Sequence, residues 1–554
     1  MTLELGNLQI TEVDHLPIIK EYAKKINLVE TVNQIVPSEM EITPGDIVLS
    51  LVVDTLSGRS PLYRLSQFYE DVDTEILFGK EINPSLLSDH NLARGMDKIF
   101  DAGTQKVFSQ ISLNAVNTFD VNTSGLHYDT TSVSVYGDYD NSGEPFEITY
   151  GYSKAKRPDL KQFLISMLCV DKNIPIMGSL EDGNASDKKL NNDVLSAVSK
   201  HMAKNGLNEN AFIYTADSAM VTEDNLTKAD SDGIKILSRL PATYNECGNA
   251  IAEAVKTDNW TEIGVLAESD GTKKKPVAIY KAWDTKVTLY EKEYRAVVIH
   301  SSAHDKRRHK RIDRILKKEF EKLKSVCKKI SKTPFFCKED AETAKDKLIK
   351  TKATYHGVNV NIEVVPKYGR GRPAKGQKRI PKRIEYVLQP AIFEKSDQLD
   401  TLRQGAGCFV LLTNLTGDTE IETYSSEKLL RLYKNQIGIE QNFGFLKDPV
   451  IVNSIFLKQE KRIEVLGLIL LISLLIWRLM ERSMRKYIQN DDKTITGWDN
   501  KQTRKPTSFM MTTKFKRILV AKVGTQRQLA KPLKPVHIEY LKALGLAQDI
   551  FTVP

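Results

Sequence analysis

The chain of 554 residues contains few cysteines, and their spacing excludes two kinds of protein. The five are Cys169, Cys247, Cys327, Cys337 and Cys408, and no two of them form a close pair. The sequence therefore indicates neither a disulfide framework nor a cysteine-type zinc site. A reducing cytoplasm is the compartment that this cysteine usage favours.

The sequence also lacks a targeting signal and an apolar run of membrane-spanning length. The first residues, MTLELGNLQITEVDH, contain neither a basic start nor an apolar h-region. The most apolar stretch, 465–477, has thirteen uncharged residues, whereas a transmembrane helix needs about 20. We therefore expect a buried core helix at this stretch, no membrane contact and a cytoplasmic location.

Positive charge is present and unevenly distributed. The net charge is +9, but residues 305–383 alone contain 26 Lys plus Arg and 9 Asp plus Glu. The rest of the chain is therefore negative overall. A segment this basic either faces a polyanion such as DNA or forms a solvated charged helix. We favour the polyanion.

Hydrophobic patterning divides the chain into five regions. Residues 1–115 are predicted to form a helical N-terminal domain, which either binds DNA or serves packing. Residues 120–240 follow the order strand, two-stranded hairpin, helix, strand, helix, strand, which predicts an α/β fold with a mixed sheet. A basic, partly β insertion domain is predicted at 241–405. The second part of the α/β core at 406–485 and a C-terminal tail at 486–554 complete the chain.

Three carboxylates are candidates for chemistry. Asp129 lies in the middle of the first predicted strand of the α/β core, and Asp217 ends the predicted strand 211–217. Functional groups gather at the carboxyl ends of such strands, although Asp129 could face solvent and Asp217 could cap a helix. The third candidate, Glu440, lies in a predicted helix at 425–446.

That helix carries a spaced set of polar residues. Tyr433, Gln436, Glu440 and Lys447 stand at offsets 0, 3, 7 and 14, which places them within an arc of about 60° on a continuous helix. Glu440 and Lys447 could also be ordinary surface charges. Two Mg²⁺ ions about 4 Å apart can drive phosphodiester transfer, and two or three carboxylates can hold them.

These residues resemble those of the DDE transposases of bacterial insertion sequences, in the insertion-sequence-four superfamily. In that family the catalytic Glu lies in a helix signature of Tyr, two residues, Arg, three residues, Glu, six residues, Lys. Tyr433, Glu440 and Lys447 match it, whereas Gln436 stands where the family has Arg. Asp129 in YDTTSV and Asp217 in TADSAM resemble the first two carboxylates.

A further segment, GYSK followed by RPD and Gln162, is also typical of this group. The resemblance covers roughly residues 120–480. It implies an RNase H-like core interrupted by an insertion domain, with Asp129, Asp217 and Glu440 as catalytic residues and as ligands of two Mg²⁺ ions. Mn²⁺ is expected to substitute for Mg²⁺.

The resemblance implies DNA transposition. Such a protein binds the terminal inverted repeats of its element, cuts one strand at each end and joins the freed 3′-OH to target DNA, as a homodimer on double-stranded DNA in the bacterial nucleoid. The expected DNA contacts are Tyr433, Gln436, Lys447, Lys154, Arg157, Arg370 and Arg372. Arg370 and Arg372 lie in an Arg-Gly-Arg-Pro run that resembles an AT-hook, although a flexible basic loop would look the same.

Two other functions remain open from the sequence. A non-catalytic DNA-binding protein derived from a transposase would keep the basic surface and lack turnover. A structure-specific nuclease on the same fold would cut without strand transfer.

Overall fold

A computed structural model describes residues 8–554 except 59, 137–138, 140–143, 154–156, 205–211, 268–275, 352, 371–377, 449–456 and 458. The chain forms two compact units, one of Met1–Ser238 with Leu432–Pro554 and one of Arg239–Arg431. The second unit is therefore inserted into the sequence of the first.

Helices dominate the N-terminal part of the first unit, as predicted. Thr43 caps one of them through the backbone N–H of Asp46, and Ser88 caps another through Asn91. Such caps satisfy backbone donors that the helix itself leaves unpaired. The elements are β1 (Leu8–Glu12), α1 (Leu16–Lys25), α2 (Leu28–Ile35), α3 (Pro44–Ser57), α4 (Leu65–Glu70), α5 (Thr74–Phe78), α6 (Asp89–Ala102) and α7 (Thr104–Phe119).

A mixed sheet follows, with the strands and helices that the sequence predicted. Its elements are β2 (Gly125–Ser134), β3 (Gln162–Val170), β4 (Ile174–Glu181), α8 (Asp187–Lys204), β5 (Ile213–Thr215), α9 (Glu223–Ser231) and β6 (Lys235–Arg239). In this unit the strand order is β4-β3-β2-β5-β6. The first three strands are antiparallel, and β5 and β6 run parallel to β2. All residues of β3 are buried, which explains its continuous apolar sequence.

The second unit contains an antiparallel sheet and a long two-stranded ribbon. The sheet order is β12-β9-β8-β7, and the ribbon pairs β10 with β11. The elements are α10 (Asn245–Thr257), β7 (Thr261–Val265), β8 (Ile279–Leu289), β9 (Lys292–Ser301), α11 (Ser302–Ile330), α12 (Lys338–Ile349), β10 (His356–Lys367), β11 (Arg383–Glu394), α13 (Ser396–Gln404), β12 (Cys408–Thr413) and α14 (Asp418–Thr423).

Residues 406–431 lie in the second unit. Within it, β12 forms an antiparallel ladder with β9 from Cys408 opposite His300 to Thr413 opposite Arg295.

The chain returns to the first unit within a helix and ends in small elements around one long helix. They are α15 (Ser426–Lys434), α16 (Ile437–Leu446), α17 (Glu460–Asp491), β13 (Ile495–Thr496), β14 (Gln502–Thr503), α18 (Ser508–Lys514), β15 (Leu519–Val523), β16 (Gln526–Leu529) and α19 (Pro535–Leu544). Strand β1 pairs with β15, so both ends of the chain share one small sheet.

Helix α17 is the core helix that the apolar stretch predicted. It is long and apolar enough to cross a membrane, but 94% of its most apolar window is buried inside the protein. A helix that is apolar all round fits the interior of a large protein as well as it fits a lipid bilayer. Its burial is consistent with a soluble protein.

Candidate active site

Two of the predicted carboxylates belong to neighbouring parallel segments, with Asp129 within β2 and Asp217 two residues beyond the end of β5. His127 of β2 pairs with Thr215 of β5, and Asp129 and Asp217 each lie two residues further along. Asp217 has an extended backbone, with φ −70° and ψ −179°. Residues in register on parallel strands project to the same face of a sheet, and neighbouring strands are about 4.8 Å apart. The ladder ends at His127 and Thr215 and brings the two segments side by side.

The surroundings of the two aspartates are buried and hold other ionisable groups neutral. Burial raises the pKa of the Tyr214 phenol well above its usual range, and the charges of Asp217 and Asp129 raise it further. Burial lowers the pKa of His127 to about 4, so this ring is neutral at pH 7. The backbone N–H of Thr130 donates to Asp129 Oδ1 at 2.8 Å. Glu181 and Asp187 also lie near this part of the sheet, since their charges, with that of Asp129, add to burial in raising the pKa of Tyr128.

Asp217 also has the capping role that the sequence left open. Its Oδ1 accepts a hydrogen bond from the backbone N–H of Ala219 at 3.0 Å and caps the short helix Ser218–Met220. The Ser238 hydroxyl donates to the Asp217 carbonyl oxygen at 2.8 Å. A carboxylate has two oxygens, so this cap fixes the orientation of Asp217 without excluding a second role.

The helix predicted at 425–446 is two helices, which corrects the sequence interpretation. Helix α15 ends at Lys434 and α16 begins at Ile437. At the junction the hydrogen bonds tighten, since the N–H of Gln436 donates to Tyr433 and that of Gly438 to Asn435. Gly438 lies so close to the turn after β3 that a Cβ would be 2.1 Å from the Lys172 carbonyl oxygen.

The break divides the predicted polar face. Tyr433 and Gln436 are half-buried around the junction, whereas Glu440 and Lys447 are exposed on one side of α16. The arc calculated for a continuous helix therefore holds for Glu440 and Lys447 and fails for the other two. Leu432 anchors the end of α15 near the start of β2, because a Cβ on Gly125 would lie 2.9 Å from its methyl group.

Helix α16 packs over the sheet face that carries Asp129. Asn442 Nδ2 lies 3.5 Å from the sulfur of Met167 and 3.3 Å from that of Cys169. These two residues stand opposite Asp129 and His127 in the β2–β3 ladder, and opposed residues share a face. Glu440 is thus on the helix that covers this face, and its side chain is exposed.

The three carboxylates do not converge into a closed cluster. Among the described residues, no group of three or more His, Cys, Asp or Glu side chains is close enough to hold a metal ion. The pairing of β2 with β5 brings the segments of Asp129 and Asp217 next to each other, and Glu440 lies at an exposed position of α16.

A buried polar network that the sequence analysis missed fixes α16. The Asn442 amide donates to the Asn173 carbonyl oxygen at 2.9 Å, and Arg478 Nε donates to Asn442 Oδ1 at 2.8 Å. Arg478 also forms a buried ion pair with Glu481 at 2.6 Å. An Arg–Glu pair three residues apart is an ordinary surface pattern, so the sequence held no signal that this one is buried.

The remaining predicted DNA contacts are dispersed. Arg157 is exposed and paired with Asp159, with Nη2 at 2.7 Å from Oδ2. Arg370 is exposed beyond the end of β10 in the second unit. Lys154 and Arg372 lie outside the described residues.

The basic segment forms α11, α12 and the β10–β11 ribbon. The ribbon packs on both helices near Val358 and Leu388, but Val364 and Ile384, further along, are exposed. Arg379 lies 5.0 Å from the Tyr368 ring. Helix α11 exposes a row of cations, which are Lys310, Arg311, Arg314, Lys317, Lys318, Lys322, Lys324, Lys328 and Lys329.

The strands and helices describe a mixed α/β protein. Residues 8–113 match the model of a domain of unknown function, DUF4277. No curated protein matches the chain.

One solved structure with a match is described as the Mos1 transposase paired-end complex with left transposon end. The identity is 10% over 32% of this chain, and the TM-score is 0.15. The chain spans 60% of that chain. At this TM-score the likeness supports no conclusion about fold or function.

Proposed function

We propose that the chain is a DDE-class DNA transposase that binds the terminal inverted repeats of an insertion sequence and catalyses strand cleavage and strand transfer. The observation that carries the proposal is the parallel pairing of β2 with β5, since Asp129 lies in β2 and Asp217 follows two residues after β5. The strand order β4-β3-β2-β5-β6 supports the RNase H-like core that the family resemblance implies.

In this proposal Asp129, Asp217 and Glu440 are the metal ligands. Carboxylate oxygens are the hard donors that Mg²⁺ prefers, and Mn²⁺ accepts the same set. Two bound ions would activate the attacking hydroxyl and stabilise the leaving oxygen. Asp217 keeps its orientation through its cap to Ala219. Glu440 comes from the exposed side of α16, where DNA would reach it.

The contacts to DNA are assigned by exposure and charge. Lys447 shares the exposed side of α16 with Glu440, and it would hold a phosphate beside the cleavage site. Tyr433 and Gln436, at the junction of the two helices, would position the same strand. An amide at position 436 offers no charge and no bidentate fork, so its grip on a phosphate is weaker than that of the Arg in the family signature.

A second candidate function is a non-catalytic DNA-binding protein derived from such an enzyme. Two observations favour it. Gln436 departs from the signature, and among the described residues no three potential ligands form a metal-binding group. This protein would bind DNA in the same way and never cut it.

Cleavage of an end substrate separates the two functions. The substrate is a labelled duplex that carries the DNA flanking either end of the gene. The transposase proposal predicts a nick with a 3′-OH at the repeat boundary, dependent on Mg²⁺ and abolished by EDTA. Binding without a nick at any Mg²⁺ or Mn²⁺ concentration would favour the non-catalytic protein.

Salt dependence tests the proposed role of the basic segment. Arg370→Ala with Arg372→Ala is expected to weaken duplex binding and to flatten the plot of log K against log salt by up to about 1.8, since each lost phosphate contact removes about 0.9. The measurement is a salt titration of duplex affinity by fluorescence anisotropy.

A matched pair in the same unit is the control for that titration. Lys256→Ala with Lys286→Ala removes the same charge from exposed positions outside the basic segment. An unchanged slope in the arginine variant, or an equal change in the control, would show that the basic segment is a solvated charged surface without a specific role in DNA binding.

A further inference from the structure

Two aromatic rings are exposed together in the C-terminal region. Trp498 lies at the tip of the β13–β14 hairpin, where Asp499 and Asn500 both adopt left-handed backbone conformations with φ of 50° and 56°. Phe509 lies in the first turn of α18, with its ring centroid 5.8 Å from that of Trp498. Trp498 is 44% exposed and Phe509 is 60% exposed. We call this pair the aromatic platform.

The platform is not part of the local hydrophobic core. Phe515, from the same stretch of chain, is fully buried and stacks on His537 with centroids 5.1 Å apart. The core of this region is thus filled without Trp498 or Phe509. Adjacent large apolar side chains that are left on a surface mark an interaction site more often than isolated ones do.

The backbone beneath the platform is held in place by buried groups. The Tyr540 hydroxyl donates to the Thr496 carbonyl oxygen at 2.8 Å and fixes the hairpin. The Ser508 hydroxyl donates to the Trp477 carbonyl oxygen at 2.7 Å and fixes the start of α18. Both rings are therefore presented by anchored elements, which reduces the entropy lost when a ligand binds.

The positive charge around the platform indicates the chemical class of its partner. Residues 493–517 contain seven Lys or Arg and one Asp. The exposed cations are Lys493, which pairs with Asp491 at 2.7 Å, and Lys501, Arg504, Lys505, Lys516 and Arg517. Arg504 pairs with Asp492 at 2.8 Å, but both side chains are largely exposed, so water competes with this contact. A second copy of the same surface would be repelled, whereas a polyanion would be attracted.

We propose that the aromatic platform binds single-stranded DNA, with unpaired bases stacked on Trp498 and Phe509 and phosphates held by the surrounding cations. Exposed aromatic rings within a basic surface are the elements of single-strand binding, because every base has a π face. A duplex buries those faces within its own stack. The inference goes beyond the proposed transposase function, since stacking requires neither metal nor cleavage.

Binding of labelled oligo-dT to the full-length protein, in EDTA, tests the inference. Trp498→Ala and Phe509→Ala are each expected to weaken binding by about 5-fold or more, since a stacked base contributes about 1–3 kcal/mol. Trp498→Phe keeps a ring and should retain most of the affinity. Tyr63→Ala, which removes another exposed ring of the same unit, is the matched control and should change nothing.

Two further readouts keep the test decisive. A triple variant, Lys501→Ala with Arg504→Ala and Lys505→Ala, should flatten the salt slope for oligo-dT by about 0.7 for each phosphate lost. Photocrosslinking of a 5-bromodeoxyuridine oligonucleotide to the wild-type protein should label Trp498 or Phe509, and it needs no variant to fold.

Three outcomes would overturn the inference. They are unchanged oligo-dT affinity in both alanine variants, an equal loss of duplex and single-strand affinity, and a changed oligomeric state with unchanged DNA binding. The last would make the platform an interface between copies of the chain. None of them bears on metal-dependent cleavage, so the proposed transposase function would be judged separately.

Discussion

Asp129→Asn, Asp217→Asn and Glu440→Gln are each expected to reduce metal-dependent strand cleavage by more than about 100-fold and to leave DNA binding unchanged. Each change keeps the size of the side chain and removes one charged oxygen ligand. Loss of an outer-shell partner of a metal ligand already costs about 10- to 100-fold, so loss of a ligand should cost more. Initial rates of nicking on an end substrate in Mg²⁺ provide the measurement.

Carboxylates on the neighbouring helices provide the controls for that experiment. Asp224→Asn in α9 and Glu427→Gln in α15 remove the same charge from exposed positions and should cut at the wild-type rate. Nicking at the wild-type rate by one of the three site variants would show that the substituted residue is not a metal ligand. A parallel loss of DNA affinity would show that the substitution acts through the fold.

Arg478→Ala is expected to lower the free energy of unfolding by about 3 kcal/mol. The substitution leaves the Glu481 carboxylate buried without its closest cation and removes the donor to Asn442. Breaking a buried ion pair by removing one partner costs about 3–5 kcal/mol. Arg485, whose Nη2 lies 3.6 Å from Glu481, compensates in part, so we expect the lower end. Denaturant unfolding followed by circular dichroism is the measurement.

A double substitution is the control for this network. Arg478→Met with Glu481→Leu replaces both charges by apolar side chains of similar volume, which is often neutral for stability. It should recover most of the loss seen in Arg478→Ala. A change below about 1 kcal/mol for Arg478→Ala would show that water reaches this pair, contrary to its burial here.

The sequence predicts the mixed sheet because its strands depend on local patterns. Strand β3 is apolar throughout since both of its faces are covered, and the turn after it contains polar residues. The predicted strand order does not fix which strands are neighbours. The ladder between Gly125–His127 and Ile213–Thr215 shows that the segments leading to Asp129 and Asp217 are adjacent.

The sequence does not predict where α15 ends, because helical periodicity continues through 435–436. The interruption depends on a contact distant in sequence, between Gly438 and the carbonyl group of Lys172. The sequence also does not predict which side of α16 packs on the sheet. It is set by Asn442, whose partners Arg478 and Asn173 come from other elements. Local sequence patterns do not predict tertiary contacts of this kind.

Metal-dependent cleavage by cysteine variants tests the central claim most directly, which is that Asp217 and Glu440 are ligands of the same metal site. A thiolate is a poor ligand for Mg²⁺ and a better one for Mn²⁺. The measurement is the initial nicking rate of Asp217→Cys and of Glu440→Cys, relative to wild type, in Mg²⁺ and in Mn²⁺. We predict that both variants are inactive in Mg²⁺ and regain cleavage in Mn²⁺, while wild type cuts in both. Wild-type rates in Mg²⁺ for Glu440→Cys, or no cleavage by the wild-type protein in either metal, would contradict the claim.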